Sequence, residues 1–272
     1  MIASVKSQIP VPALRIPAWC LLAACCFWFF PFLAASAADD KPGAVVTVAA
    51  AANLQSVLPR LQEAFKRPDI QLRFVTGSTG KLCTQILSGA PFDLLLAADT
   101  EGAGQLDKAG RAVTPPAVYA RGVLVCAYRR ELAKEGAPLG VDWTRVKRLV
   151  IADPALAPYG RAAEQVIAAA RLPLGKETDI LRGQNISQAA QFLVTGAAEA
   201  GFIARSQVDS LDSKIWAWAE TPSSLSNPIL QAAVLVAPAG GGKPSSGARE
   251  FYQFLFSSAA KDVFVAAGYR LP

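Results

Sequence analysis

Two strand-to-helix turns concentrate the residues of this chain that could hold an anion. The apolar stretch Ala44–Val48 predicts a strand and runs into Ala49-Ala50-Ala51-Ala52-Asn53-Leu54, where a helix over Asn53–Phe65 is predicted to open. A second strand over Ile70–Val75 runs into Thr76-Gly77-Ser78-Thr79-Gly80-Lys81 and a helix over Gly80–Leu87, with Leu82, Ile86 and Leu87 on one face. Each turn carries small amide or hydroxyl side chains at a helix start. The first N–H groups of a helix have no partner inside it, and its dipole is positive there, so two such starts aimed at one place suit an anion. Taken singly, Asn53 and Thr79 also read as plain N-caps.

Other chemistries find less support. The chain has no histidine, which excludes Ser-His-Asp and Cys-His catalysis and any His-ligated metal. Gly77-Ser-Thr-Gly80-Lys81 resembles a phosphate loop. However, Leu82 stands where Ser or Thr is needed, and Val75 stands where the leading Gly is needed. Ser78 with Lys81 has the spacing of a Ser-Lys pair, but no oxyanion partner is apparent. Asp93, Asp99 and Asp153 read either as metal ligands or as strand-end and turn residues bonded to nearby N–H groups. Asn185-Ile186-Ser187 matches the glycosylation sequon, a pattern common by chance. No enzymatic role and no cofactor are expected.

The first 38 residues read as an export signal. Lys6 and Arg15 precede the apolar run Ile16–Leu33, and Ala35-Ser36-Ala37 offers a small-x-small cleavage site. The alternatives are a short membrane anchor interrupted by Pro17 and Pro31, or a lipid on Cys25 after Leu22-Ala23-Ala24. Past Cys25 the apolar run continues through Phe27-Trp28-Phe29-Phe30, unlike the usual end of a lipidated segment. Removing Lys6 and Arg15 takes the net charge from +6 to +4, with acidic residues interspersed, so nucleic-acid binding has no support. After the leader only Cys83 and Cys126 remain, which is no disulfide scaffold.

The remaining chain alternates apolar strands with amphipathic helices. Further strands are predicted at Leu94–Ala97, Val123–Tyr128, Leu149–Ala152, Gly201–Ala204 and Ile229–Val236. Further helices are predicted at 102–109, 160–170, 187–195, 205–210, 247–256 and 259–267. This is an α/β pattern with mainly parallel sheets expected. Pro59 conflicts with the first helix and requires either a kink or a short first segment.

The ordered motifs resemble the periplasmic molybdate-binding proteins of ABC importers over essentially the whole exported chain. They are Val48-Ala-Ala-Ala-Ala-Asn53-Leu54, Gly77-Ser-Thr-Gly-Lys-Leu82, Gly89-Ala-Pro-Phe-Asp93-Leu94 and Ala97-Ala98-Asp99. Ala152-Asp-Pro154, Pro158-Tyr-Gly160, Gly183-Gln-Asn-Ile-Ser-Gln188, Ala200-Gly-Phe-Ile203 and Ala267-Gly-Tyr269 follow. The resemblance implies a type II periplasmic binding fold: two α/β lobes joined by two crossing strands, with the ligand in the cleft. Lobe one would hold residues 44–122 plus 229–272 and lobe two 123–228, with crossings near Gly122–Val125 and Asn227–Gln231. It implies a tetrahedral oxyanion, molybdate or tungstate, held through its oxygens with no direct metal ligands. The implied holders are Asn53, Ser78 and Thr79 from lobe one and the backbone around Tyr159 and Ile186 from lobe two. Some relatives place a tyrosine where this chain has Ala204, and Tyr159 is one candidate to compensate. The implied protein is a periplasmic monomer that docks on a membrane permease; a receptor for sulfate or phosphate is the alternative reading.

Overall fold

The computed structural model describes residues 44–272, so the predicted leader lies outside the described residues. The described residues form ten strands: β1 (Ala44–Ala51), β2 (Ile70–Gly77), β3 (Leu94–Ala97), β4 (Ala117–Gly122), β5 (Leu124–Arg129), β6 (Arg148–Ala152), β7 (Asp179–Gly183), β8 (Ala200–Ala204), β9 (Trp216–Glu220) and β10 (Ile229–Leu235). Seven α-helices accompany them: α1 (Leu58–Phe65), α2 (Thr79–Leu87), α3 (Thr100–Lys108), α4 (Pro158–Ala169), α5 (Ile186–Val194), α6 (Ser246–Phe254) and α7 (Ser258–Ala266).

The strands form two five-stranded sheets, ordered β2-β1-β3-β10-β4 and β7-β6-β8-β5-β9. The chain passes from the first sheet to the second between Gly122 and Leu124. It returns through residues 221–228. Each sheet with its helices makes one lobe. Central strands such as β1 and β3 are covered on both faces and read as continuous apolar runs. The edge strand β2 instead alternates buried Ile70 and Leu72 with exposed Gln71.

In the first lobe, Val46, Val48, Leu54, Phe251 and Phe264 pack on one face of the sheet, and Leu82, Cys83, Ile86, Leu95 and Leu106 on the other. In the second lobe, Trp143 stacks on Phe202 with ring centroids 6.4 Å apart and planes 7° apart.

Three sequence expectations are corrected. The sheets are mixed: β1–β2, β1–β3, β6–β7 and β6–β8 are parallel, but β10 runs antiparallel to β3 and β4, and β5 antiparallel to β8 and β9. The strands just past the crossings, β5 and β10, are the ones that run against their neighbours. Second, no helix runs continuously from Asn53 to Phe65. A 3-10 turn, Ala52–Leu54, is followed by α1, which starts at Leu58 and places Pro59 in its first turn. There the missing N–H costs nothing and the fixed φ suits the helix. Third, β4, β7 and β9 were not predicted.

Candidate anion-binding site

Four chain turns meet between the lobes. From the first lobe come the end of β1 with its 3-10 turn and the β2–α2 turn; from the second come the starts of α4 and α5. They line one small, partly open cleft, walled by Asn53, Ser78, Thr79, Tyr159 and Ile186 together with small neighbours. The structure thus brings all five sequence-predicted residues to one cavity. Every lining residue is uncharged.

The donors differ in kind. Ser78 is the N-cap residue of α2, yet its side chain makes no capping bond; its Oγ is buried without a hydrogen-bond partner. A buried hydroxyl left unpaired costs roughly 1–3 kcal/mol, so this atom is available to bond a ligand. Thr79 Oγ1 accepts from Ala98 N at 3.0 Å, which leaves its own proton free to donate. Gly102 on α3 permits this packing, because a Cβ there would sit 2.7 Å from Thr79 Cγ2.

The second-lobe donors are backbone groups. In α4, Pro158 occupies the first turn and both Gly160 N and Arg161 N donate to Ala157 O, at 2.9 and 3.2 Å. Tyr159 N–H is left at the helix mouth. In α5, Asn185 is the N-cap and its Oδ1 accepts from Gln188 N at 3.0 Å, which leaves Ile186 N–H at the mouth. The sequon asparagine is therefore a helix cap.

Asn53 departs from the expected side-chain donor. Its Nδ2 donates to Gln231 Oε1 and to Tyr269 Oη, both at 2.8 Å, so both amide protons are committed away from the cavity. What Asn53 can offer is its backbone N–H, at the start of the 3-10 turn. Nor is it an N-cap.

Two residues not anticipated as part of the site hold this arrangement. Gln231 sits in β10 beside a register shift, is fully buried, and also donates from Nε2 to Ala98 O at 3.4 Å. It therefore links the Asn53 turn to the Ala98 turn, whose N–H in turn holds Thr79. Tyr269 was visible in sequence only as the end of a C-terminal motif. Its hydroxyl donates to Asn53 O at 2.8 Å. Burial pushes this phenol up to about 12, against the opposing pull of its bonds to Ser206 and Asn53.

Ala204 does not line the cavity. Tyr159 does not supply the replacement hydroxyl that the sequence reading allowed. Its hydroxyl lies at the crossing between lobes, where a Cβ on Gly122 would be 2.2 Å from it.

The lobes are clasped shut. Gly80 N donates to Leu156 O at 3.1 Å, Ser187 Oγ to Ala52 O at 2.9 Å, and Ser206 Oγ to Asn53 O at 2.8 Å. Lys81 Nζ donates to Gln184 Oε1 at 2.6 Å, which gives this lysine a role at the cleft rim. Arg161 on α4 pairs with Asp99, the N-cap of α3, whose other oxygen accepts from Gly102 N at 2.9 Å. Asp93 accepts from Thr47 N at 2.7 Å and Asp153 from Ala155 N at 3.0 Å. These aspartates thus serve the backbone and the lobe contact, and among the described residues no acidic, cysteine or histidine cluster could hold a metal ion.

Comparison with known proteins places this architecture. A family model described as bacterial extracellular solute-binding protein matches residues 46–270. The chain belongs to this family. The molybdate-binding protein ModA of Azotobacter vinelandii is 37% identical to this solute-binding protein over 236 residues, 84% of this chain and 90% of that one. The Rhodobacter capsulatus protein of the same name is 32% identical over 228 residues, 82% of this chain and 87% of that one. The solved structure of an Azotobacter vinelandii periplasmic molybdate-binding protein matches with a TM-score of 0.73 at 27% identity, covering 84% of this chain and 99% of that one. The fold of this solute-binding protein is accordingly the two-lobed type II periplasmic arrangement.

Proposed function

We propose that this protein captures molybdate, and tungstate with it, in the periplasm and delivers it to the membrane permease of an ABC importer. The observation that carries the reading is a cavity walled by both lobes and lined only by uncharged residues, among them Ser78 with its buried hydroxyl bonded to no protein group. The two relatives named for molybdate binding support the choice of anion. In this reading Ser78 Oγ, Thr79 Oγ1 and the backbone N–H groups of Asn53, Tyr159 and Ile186 hold the four oxygens.

The physics favours a dianion without O–H groups. Each hydrogen bond to a charged acceptor contributes roughly 1.5–3 kcal/mol, so several convergent donors offset much of the cost of stripping its water. Hydrogen phosphate brings its own O–H, and a wall made only of donors gives that proton no partner. Sulfate is smaller, and donors fixed by helix starts cannot close on it equally well. Because the anion bonds to both lobes, it stabilises the clasped state over an open one.

Isothermal titration calorimetry of the exported protein with molybdate, tungstate, sulfate and phosphate tests this. Molybdate and tungstate are expected to bind tightly and the other two weakly. Sulfate bound as tightly as molybdate would replace the proposal with a general oxyanion receptor.

A further inference from the structure

We propose that Gly122 and the Tyr159 phenol together form a steric gauge that sets how far the lobes close on the ligand. The inference rests on the reading above, that an oxyanion is held between the lobes.

Gly122 is the last residue of β4, where the chain leaves the first sheet, and it pairs with Ile229 where the chain returns. Tyr159 belongs to the second lobe, in the first turn of α4. Its side chain reaches the crossing and is buried there. A Cβ built on Gly122 would lie 2.2 Å from Tyr159 Oη, 2.9 Å from Tyr159 Cζ and 2.9 Å from Gln231 Nε2. Gly122 therefore has no room for any side chain in the closed state. The φ of Gly122 is not positive, so backbone conformation does not demand glycine here. What demands it first is the approach of a ring from the other lobe, whose hydroxyl is the nearest atom; the Gln231 amide of the same lobe adds a second, more flexible contact.

The same helical turn carries the Tyr159 N–H at the mouth of the cavity. How deeply the phenol seats against Gly122 thus fixes how far that donor advances toward Ser78 and Thr79. Tyr159 is on this account a positioning residue through its ring as well as a binding residue through its backbone. Gln231 completes the seat from β10 and at the same time holds Asn53. Lobe closure and first-lobe donor placement therefore share one side chain.

The test is a two-site cycle read by molybdate calorimetry, by melting of the ligand-free protein, and by small-angle X-ray scattering with and without molybdate. Gly122→Ala is expected to weaken molybdate binding roughly 5- to 150-fold, the range for a methyl forced into a packed site. Its ligand-free melting temperature is expected to fall by no more than about 4 °C, because an open cleft removes the Tyr159 ring and leaves the methyl only the terminal amide of Gln231 to displace. It should also compact less on ligand addition. Tyr159→Leu removes Oη and Cζ while keeping the backbone donor, so adding Gly122→Ala to it should cost less than about 3-fold. If the wild type binds and Gly122→Ala binds equally well, or if it loses the same affinity in the Tyr159→Leu background, the gauge is wrong. If the ligand-free melting temperature of Gly122→Ala falls by clearly more than about 4 °C, the glycine serves folding rather than closure and the gauge is again wrong. If the wild type does not bind molybdate, the functional reading itself fails, which is a separate outcome.

Discussion

Tyr269 and Asn53 exchange two hydrogen bonds, each 2.8 Å long: Asn53 Nδ2 donates to Tyr269 Oη, and Tyr269 Oη donates to Asn53 O. The C-terminal segment thereby pins the turn that ends the first strand. Tyr269→Phe deletes both bonds and leaves one amide proton of Asn53 unpaired in the core. The ligand-free protein is expected to lose roughly 1–3 kcal/mol of stability, with weaker molybdate binding as the turn loosens. Chemical denaturation and calorimetry check both, and an unchanged denaturation midpoint would show that the pair holds nothing.

Ser78 and Thr79 separate binding from folding. Ser78→Ala removes a buried hydroxyl with no protein partner, so ligand-free stability should hold or rise slightly. Molybdate binding should weaken by roughly 1.5–3 kcal/mol, because a bond to a charged acceptor is lost. Thr79→Ala should weaken binding by roughly 1–3 kcal/mol and also cost stability, since Ala98 N–H loses its acceptor. Equal affinity in either variant would remove that hydroxyl from the site.

The Arg161–Asp99 pair spans the lobes at the surface, with the arginine side chain 40% exposed. Screening limits such a pair to at most about 1 kcal/mol. Arg161→Gln should therefore weaken molybdate binding only slightly, and less at high salt than at low salt. Titrations at two ionic strengths compare them. A loss that does not shrink with salt would mean that the pair acts by packing instead.

Burial makes Cys83 and Cys126 inert. It pushes the Cys83 thiol up to about 12, with Asp99 adding to the effect, and raises Cys126 as well. Neither should react with a thiol reagent at pH 8 in the folded protein, and both should react in denaturant. The Tyr269 phenol gives the matching alkaline prediction. Its folded value of about 12 exceeds its ordinary 10.0, so its stabilising contribution is complete below pH 10 and is lost as the pH climbs toward 12. Tyr269→Phe should show a shallower loss of stability across that interval.

Each site turn carries a local signature in the sequence, although the part played by the two second-lobe turns comes from the family resemblance rather than from their own residues. A strand followed by Gly77-Ser78-Thr79-Gly80 declares a helix mouth within a few residues, as do Pro158-Tyr159-Gly160 and Asn185-Ile186-Ser187. The sequence did not reveal what Asn53 does. That role depends on Gln231 and Tyr269, 178 and 216 positions away, and no local pattern encodes such partners. The strands missed, β4, β7 and β9, are all sheet edges. One face of an edge strand is less covered, so residues such as Arg121, Asp179 and Glu220 break the apolar run that marked the central strands. The antiparallel pairings escaped for a related reason: they follow from where the chain crosses between lobes, and periodicity within one strand carries no sign of direction.

Whether uncharged donors from both lobes hold the anion is decided by a crystal structure of the protein grown with molybdate, the metal located by its anomalous scattering. One molybdenum peak is expected between Ser78, Thr79 and the starts of α4 and α5, with oxygens touching only hydroxyl and backbone N–H donors. A peak lodged against lysine or arginine side chains, or no peak between the lobes, would contradict it.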